Sequence, residues 1–377
     1  MTITAIIVNY RTRDLLSSII DQLDKEELIG QIIVADNSNE LSNIDESMLT
    51  AKLTLLSNNE NLGFGKAVNQ ALSETDSRYI LLVNPDVRLG EGCISILNDA
   101  IRTYGAAAVG PRFYMDDTKM FQIPPALGGS LWGDFAYMAA EKYPLDETLF
   151  TFNWILRHER FWSAEKPFWE PFLSGALVLV DREQLAFDSG ALFDERFFLY
   201  FEDTDLCIRA IGKKTPLLCV PDAWCVHYYD QAPSPGVSKF QLMMESKVRF
   251  NRKYYGFNFL NPLNACIGPI ENAANTDEAL SSSEKLHKES AFSMQPMDDL
   301  GFLEASPYLE WQSPGSGKTV YFDIGVNAIL VPFVRTTVFE QHFTIPKEIW
   351  EKITPGAYFA RVFHPAFGVL KVWRWTK

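Results

Sequence analysis

Three carboxylates, Glu202, Asp203 and Asp205, stand directly behind the apolar run Phe197-Phe198-Leu199-Tyr200-Phe201. A run of that kind is ordinarily buried. Acids at its end then lie at a cleft edge, where burial and neighbours tune ionisation, which is the setting for acid–base chemistry. A plainer reading is an acidic helix start. Asp and Glu favour that end of the helix dipole, and Asp205 is spaced for an i,i+4 pair with Arg209.

Two further residues suggest a metal. Asn84-Pro85-Asp86 closes the run Tyr79–Val83. An Asp at the tip of a buried strand can coordinate Mg²⁺ or Mn²⁺ while substrate phosphates and water complete the shell; an Asx-turn is the alternative. His227 follows Trp224-Cys225-Val226 and is either a satisfied core histidine or a ligand. The segment Asn61-Leu62-Gly63-Phe64-Gly65-Lys66-Ala67-Val68-Asn69 puts small residues at a helix start. These let a ligand approach backbone N–H groups, or let helix and strand pack tightly. Val68 stands where a dinucleotide fingerprint needs its third glycine, so an NAD site is not expected. Gly315-Ser316-Gly317-Lys318-Thr319 resembles a P-loop only in part. Gln312 replaces its first glycine, and a β-rich stretch follows, so a turn is expected.

The elements that must position these residues alternate. Strand patterns at Ile3–Val8, Ile32–Ala35, Leu53–Leu56, Tyr79–Val83 and Ala107–Val109 are interleaved with helical ones at Thr12–Leu23, Leu62–Leu72 and Cys93–Tyr104. That alternation predicts an open α/β sheet with helices on both faces and a ligand beyond the carboxyl ends of its strands. From Phe113 to Phe172 the pattern fades into aromatics (Trp132, Tyr137, Trp154, Phe161, Trp162, Phe168, Trp169), divided between core packing and an acceptor groove or membrane contact. Order returns at Ser174-Gly175-Ala176 and the strand Leu177–Val180. Residues 264–306 are polar and small and read as a linker or mobile loop. Residues 307–377 alternate in short segments, the pattern of a small antiparallel β-sandwich.

Composition bounds the function. The 377 residues suit two domains. The formal charge of −14 argues against nucleic acid as a partner. Five scattered cysteines without CxxC spacing, no leader-like start and no long apolar run lead to the expectation of a cytoplasmic protein, soluble or peripheral at the inner face of the plasma membrane.

In order, Ile6–Tyr10, Ala35–Ser38, Asn61–Asn69, Asn84–Asp86, Ser174–Ala176, Phe193–Phe198, Glu202–Cys207 and His227 resemble the family 2 glycosyltransferases with a GT-A fold, nearest the bacterial rhamnosyltransferase-like branch. The resemblance covers about residues 3–255. It implies an α/β GT-A domain over 1–263 with a Rossmann-like open sheet; the β-sandwich lies outside the resemblance, and its own alternation resembles a fibronectin- or immunoglobulin-like accessory domain. It implies inverting transfer from a dTDP- or UDP-linked sugar, dTDP-L-rhamnose first, to a glycan or lipid-linked glycan, with Mg²⁺ or Mn²⁺. By position it makes Asp203 the general base and Asp86 and His227 the metal residues. Val8, Asn9, Tyr10, Asp36, Asn61, Gly63, Lys66 and Asn84 become the nucleotide-sugar contacts. Ser174, Gly175 and Glu202 fall on the acceptor or sugar side. Asn84 replaces the first acid of the family's DxD motif, leaving Asp86 most of the carboxylate coordination. The competing expectation is a non-catalytic carbohydrate-binding protein or scaffold on a degenerate transferase fold.

Overall fold

The computed structural model describes residues 2–41, 50–125, 144–228, 238–256, 297–312, 320–326, 330 and 333–377, with backbone alone for 144–152. The chain divides into two compact units. Met1–Tyr114, Pro125–Gly129 and Trp162–Leu260 form the first; Met115–Pro124, Ser130–Phe161 and Asn261–Lys377 form the second.

The first unit runs β1 (Ile3–Asn9), α1 (Arg13–Lys25), β2 (Ile29–Asp36), β3 (Leu53–Ser57), α2 (Phe64–Leu72), β4 (Tyr79–Val83), β5 (Val87–Leu89), α3 (Cys93–Tyr104) and β6 (Ala108–Tyr114). After α4 (Pro144–Ser163) it continues with β7 (Phe168–Trp169), β8 (Leu177–Asp181), α5 (Arg182–Leu185), α6 (Glu202–Gly212), β9 (Leu217–His227) and α7 (Lys239–Tyr255). Among the described residues nine strands form one sheet, ordered β3-β2-β1-β4-β8-β6-β9-β5, with β7 also on β9. Strands β1 to β4 are mutually parallel. β8 runs antiparallel between β4 and β6, so its first residues, not its last, share an edge with the carboxyl ends of β1, β2 and β4.

Side-chain alternation explains the layers. Ile3, Ala5 and Ile7 of β1, with Tyr79, Leu81 and Val83 of β4, face α1 and α3. Ile6, Ile80 and Leu82 face α2 and α6 on the other side. Strands buried on both faces read as continuous apolar runs for that reason. Each fully buried Leu or Ile contributes about 1.5–3 kcal/mol against exposure. Cys93, Cys207, Cys219 and Cys225 are buried free thiols; Cys266 lies outside the described residues.

The second unit has β10 (Met297–Phe302), β11 (Tyr308–Glu310), β12 (Val320–Gly325), β13 (Phe333–Val338), β14 (His342–Thr344), α8 (Lys347–Lys352), β15 (Ala357–His364) and β16 (Gly368–Thr376). Five of these strands form a sheet ordered β10-β16-β15-β12-β13, and β11 and β14 form a two-stranded ribbon. Leu309 and Phe343 of the ribbon and Trp350 of α8 share a core with Phe322, Trp373 and Trp375 of the sheet. At its centre Asp323 is fully buried and is chelated by Arg335 at 2.6 and 2.9 Å and by Arg361 at 2.9 Å. Burial pushes the Asp323 carboxyl up, but the two guanidinium charges outweigh it and hold it below the usual range. His158 is pushed down to about 3 by burial and then by Arg335, and stays neutral.

Three expectations change here. Met115–Pro124 and the helix through Phe161 leave the expected 1–263 domain for the second unit. Phe121 enters that unit's core, Gln122 exchanges backbone hydrogen bonds with Arg335 at 2.7 and 3.0 Å, and Trp154 and Ile155 pack on Phe333 and Phe363. Met297–Phe302, within the expected linker, is an edge strand parallel to β16, so the accessory sheet is not purely antiparallel. Residues 257–296 lie outside the described residues, as do Trp132, Tyr137 and Gly315–Thr319. The strand Val320–Gly325 begins directly after the last of these. Of the remaining aromatics, Trp154 and Phe161 are buried and Trp169 is exposed.

Candidate active site

The site lies along the strand-end edge of the first unit. β4, buried throughout, is followed by Asn84, whose N–H donates to Ala176 O at 2.8 Å. The chain turns there, with Val87 N–H on Asn84 O at 3.2 Å, and re-enters the sheet as β5. β5 pairs antiparallel with β9, Val87 opposite His227. Asp86, one residue earlier, therefore meets the last residue of β9. Its Oδ1 is 3.3 Å from His227 Nε2, and both side chains are nearly buried. Among the described residues no three His, Cys, Asp or Glu side chains gather as a metal cluster. One carboxylate oxygen and one imidazole nitrogen fit a divalent cation whose other ligands come from a diphosphate and water.

Asp36 ends β2 fully buried. Its Oδ1 accepts from Asn9 Nδ2 (2.9 Å), Ser38 N–H (3.0 Å) and Ser38 Oγ (2.8 Å), and its Oδ2 from Leu41 N–H (2.9 Å). Burial alone would raise its pKa, but these donors outweigh burial and hold it below the ordinary value. Asn9 also accepts from Thr12 N–H and Oγ1 at 3.2 and 2.7 Å, fixing the turn into α1. Val8, partly buried, packs against the core, and the Arg11 guanidinium lies 5.3 Å from the Tyr10 ring.

Of the two readings the sequence leaves for the glycine segment, ligand approach or tight packing, the structure shows close packing within the chain. Gly63 has φ +80°, and a Cβ there would lie 2.3 Å from Phe198 O. Its N–H donates to Asn61 Oδ1 at 3.0 Å, and Phe64 N–H donates to Phe198 O at 2.9 Å. What approaches this helix start is the chain's own Phe198 carbonyl, so these two N–H groups are not offered to a ligand. Asn37, Asn58 and Gln70, which the sequence reading missed, complete the network: Asn37 Nδ2 donates to Asn61 Oδ1 and Gly63 O, Asn58 Nδ2 to Asn37 Oδ1, and Gln70 Nε2 to Asn58 Oδ1. Lys66 is exposed and lines an open groove of about 560 Å³ with Asn69, Gln70, Arg182 and Glu195. Asp36, Asp86, Asp203 and His227 take no part in that groove.

The acidic triplet opens α6. Asn69 accepts from Leu192 N–H and Phe193 N–H at 2.9 and 3.0 Å, tying the incoming loop to α2. Tyr200 and Phe201, immediately before the acids, both sit in the left-handed region at φ 66° and 68°. Each such non-glycine residue costs about 1–3 kcal/mol and persists only where its surroundings over-determine it. Asp203 stays partly exposed. Gly175 N–H donates to its Oδ2 at 3.2 Å, and Thr204 N–H to its Oδ1 at 2.7 Å. Burial raises its pKa against the pull of those donors. Ser174 Oγ accepts from Ala176 N–H at 3.2 Å, so the turn before β8 is closed locally while its glycine faces Asp203. Glu202 is only 6% exposed, and its Oε2 has no hydrogen-bond partner among the described residues. Burial, then the Asp203 charge, push Glu202 up to about 8. Asp205 pairs with Arg209 at 3.1 Å and also receives Lys253 and Tyr254 of α7. No helix among the described residues is long and apolar enough to cross a membrane.

The first unit is thus an open mixed sheet in an α/β fold, with acids gathered on one edge. Residues 4–163 match the family model for glycosyl transferase family 2. Over 187 residues it is 30% identical to the N-acetylglucosaminyl-diphospho-decaprenol L-rhamnosyltransferase of Mycobacterium tuberculosis, a match over 46% of this chain and 58% of that protein. The chain thus spans 58% of the length of the curated relatives it matches. Similar solved structures include GalNAc-T7 with UDP, GalNAc and Mn²⁺ (TM-score 0.47, 13% identity, 99% of this chain and 71% of that chain). Another is the mannosyltransferase PcManGT from Pyrobaculum calidifontis with GDP-Man and Mn²⁺ (TM-score 0.43, 14% identity, 78% of this chain and 76% of that chain).

Proposed function

We propose that this protein is an inverting glycosyltransferase. It moves a sugar, L-rhamnose from dTDP-rhamnose in the first instance, onto a hydroxyl of a lipid-linked glycan at the inner face of the plasma membrane. The observation that carries this reading is the half-buried Asp203 carboxylate, held against Gly175 N–H on the edge that also bears the Asp86–His227 pair. The rhamnose and the lipid-linked acceptor follow the name of the curated relative.

In this reading Asp203 takes the proton from the acceptor hydroxyl as that oxygen attacks C1 from the face opposite the diphosphate. The new C1–O bond forms, the bond from C1 to the diphosphate oxygen breaks, and the nucleoside diphosphate leaves with the electron pair. One base suffices for inversion; a double displacement needs a second carboxylate about 5 Å away as nucleophile. Asp86 and His227 would hold Mg²⁺ or Mn²⁺, which supplies Lewis-acid stabilisation to the departing diphosphate. Asn9, Asp36 and Ser38 shape the nucleoside end, and Asn84 and Asn61 hold the turns beside it. Glu202, whose carboxyl burial and the Asp203 charge push up to about 8, resists placing a second negative charge beside Asp203 and lies on the sugar side.

The test is calorimetric titration with a panel of nucleotide sugars, with and without Mn²⁺, followed by transfer assays with the donor that binds. Metal-dependent heat and acceptor-dependent product support the reading. Absence of any metal-dependent heat returns the protein to the scaffold alternative. Free sugar released without acceptor makes it a hydrolase.

A further inference from the structure

The left-handed pair Tyr200–Phe201 sets the direction in which Glu202 and Asp203 leave the loop, and such an elbow needs something to keep it bent. Phe201 has no side-chain group that caps α6. The support comes from α7, about fifty residues later. Ser246 Oγ donates to Leu199 O at 2.7 Å, just before the elbow. The buried Phe250 ring lies 5.2 Å from the Phe201 ring. Lys253 Nζ donates to Asp194 Oδ2 at 2.7 Å and to Asp205 Oδ1. Tyr254 OH donates to the same Asp205 oxygen at 2.7 Å. Residues 246, 250, 253 and 254 recur at i, i+4, i+7 and i+8, so one face of α7 grips both sides of the elbow. Asp205 is fully buried two residues beyond Asp203, and Arg209 takes its other oxygen. Displacing Asp205 would rotate the first turn of α6 and carry Asp203 with it.

We propose that α7 is a positioning clamp, in which Lys253, seconded by Ser246 and Tyr254, holds the Tyr200–Phe201 elbow bent and so fixes the Asp203 carboxylate for proton abstraction. This rests on the reading of Asp203 as the base. The hydrogen bonds and ion pairs of Ser246, Lys253 and Tyr254 run to Leu199, Asp194 and Asp205, on the side of the base. The clamp therefore acts on the chemical step and leaves donor binding alone.

The experiment compares the full chain with Lys253→Met, Lys253→Arg and Ser246→Ala, measuring kcat, donor KM and nucleotide affinity. A misplacement of about 1 Å can cost about 100-fold in rate. Lys253→Met is expected to lower kcat by about that factor with donor KM within about twofold, the signature of an interaction used only in the transition state. Lys253→Arg, which keeps both ion pairs, recovers most of the rate. Adding Lys253→Met to Asp203→Asn costs nothing further, because both act through one group. An unchanged kcat in folded Lys253→Met overturns the clamp, as does a loss confined to donor KM or to thermal stability. Should Lys253→Met fail to fold, Ser246→Ala decides in the same way: a several-fold lower kcat supports the clamp, and an unchanged one overturns it. Full transfer by Asp203→Asn would instead defeat the reading of the base, so the two failures are told apart.

Discussion

Asp86 Oδ1 lies 3.3 Å from His227 Nε2 because the strand after Asp86 pairs with the strand that His227 ends. The two residues are far apart in sequence, yet one register fixes both. If this pair holds the cation, Asp86→Asn and His227→Gln should each weaken Mn²⁺-dependent nucleotide binding by about 10-fold or more, since losing a ligand or its support costs that order. Binding measured in EDTA should not change between parent and variants. Equal loss with and without metal would remove the pair from that role.

Asp203→Asn should lower transfer by about 10²–10⁴-fold, the worth of a positioned general base, while nucleotide affinity survives. Because burial raises the Asp203 pKa, kcat/KM of the parent should rise with pH through a value above that of an ordinary aspartate. A flat profile down to pH 4 would contradict this.

Glu202 gives stability a definite pH dependence. Its pKa is raised to about 8 in the fold from 4.5, so between those values the folded state binds the extra proton. Stability therefore falls as pH rises from 4.5 towards 8, and above 8 the full penalty applies. Glu202→Gln removes that penalty. It should leave stability at pH 4 little changed and raise it at pH 8.5 by at least about 1.4 kcal/mol, the worth of one pKa unit. Thermal melts at the two pH values check this.

Gly63→Ala places a Cβ 2.3 Å from Phe198 O at a backbone φ of +80°. It should destabilise the first unit by about 1–3 kcal/mol from backbone strain alone. Displacement of the Phe198 loop should also lower transfer, since that loop leads to Asp203. Gly175→Ala meets only ordinary contact with Asp203 Cβ at 3.5 Å and should fold normally. Denaturant titration of both variants makes the comparison.

In the second unit, Asp323→Ala leaves Arg335 and Arg361 buried without their shared carboxylate and should cost about 3–5 kcal/mol. Asp21→Ala, which breaks an exposed pair with Lys25, should cost less than about 1 kcal/mol. The melting transition of each variant tests the difference.

The parts of the fold that were readable in advance are strands buried on both faces and helices with one clear apolar stripe. Tyr79–Val83 and Cys93–Tyr104 have the bounds their patterns predict. Met297–Phe302 was unreadable because an edge strand with an almost wholly unburied pattern, two aspartates and a left-handed Gly301 carries no alternation. The Asp205–Arg209 pair was legible from i,i+4 spacing and is present at 3.1 Å. Lys253 on the same carboxylate was not, since nothing local links residues 48 apart. Gly63 shows the limit of motif reading. Its type correctly announced a close backbone approach, but only the folded chain reveals that Phe198 is what approaches.

The second unit is assembled from separated stretches of one chain, and that sets an order of events. Gln122, Phe121 and Glu159 are made early, while their partners, Arg335 on β13 for Gln122 and Glu159 and the Phe322–Phe343 core for Phe121, come some two hundred residues later. During synthesis the early stretches must wait uncovered until the last strands emerge. A chain cut before β12 would leave them permanently without a core, so losing the C-terminus would undo structure near residue 120 as well as at the tail.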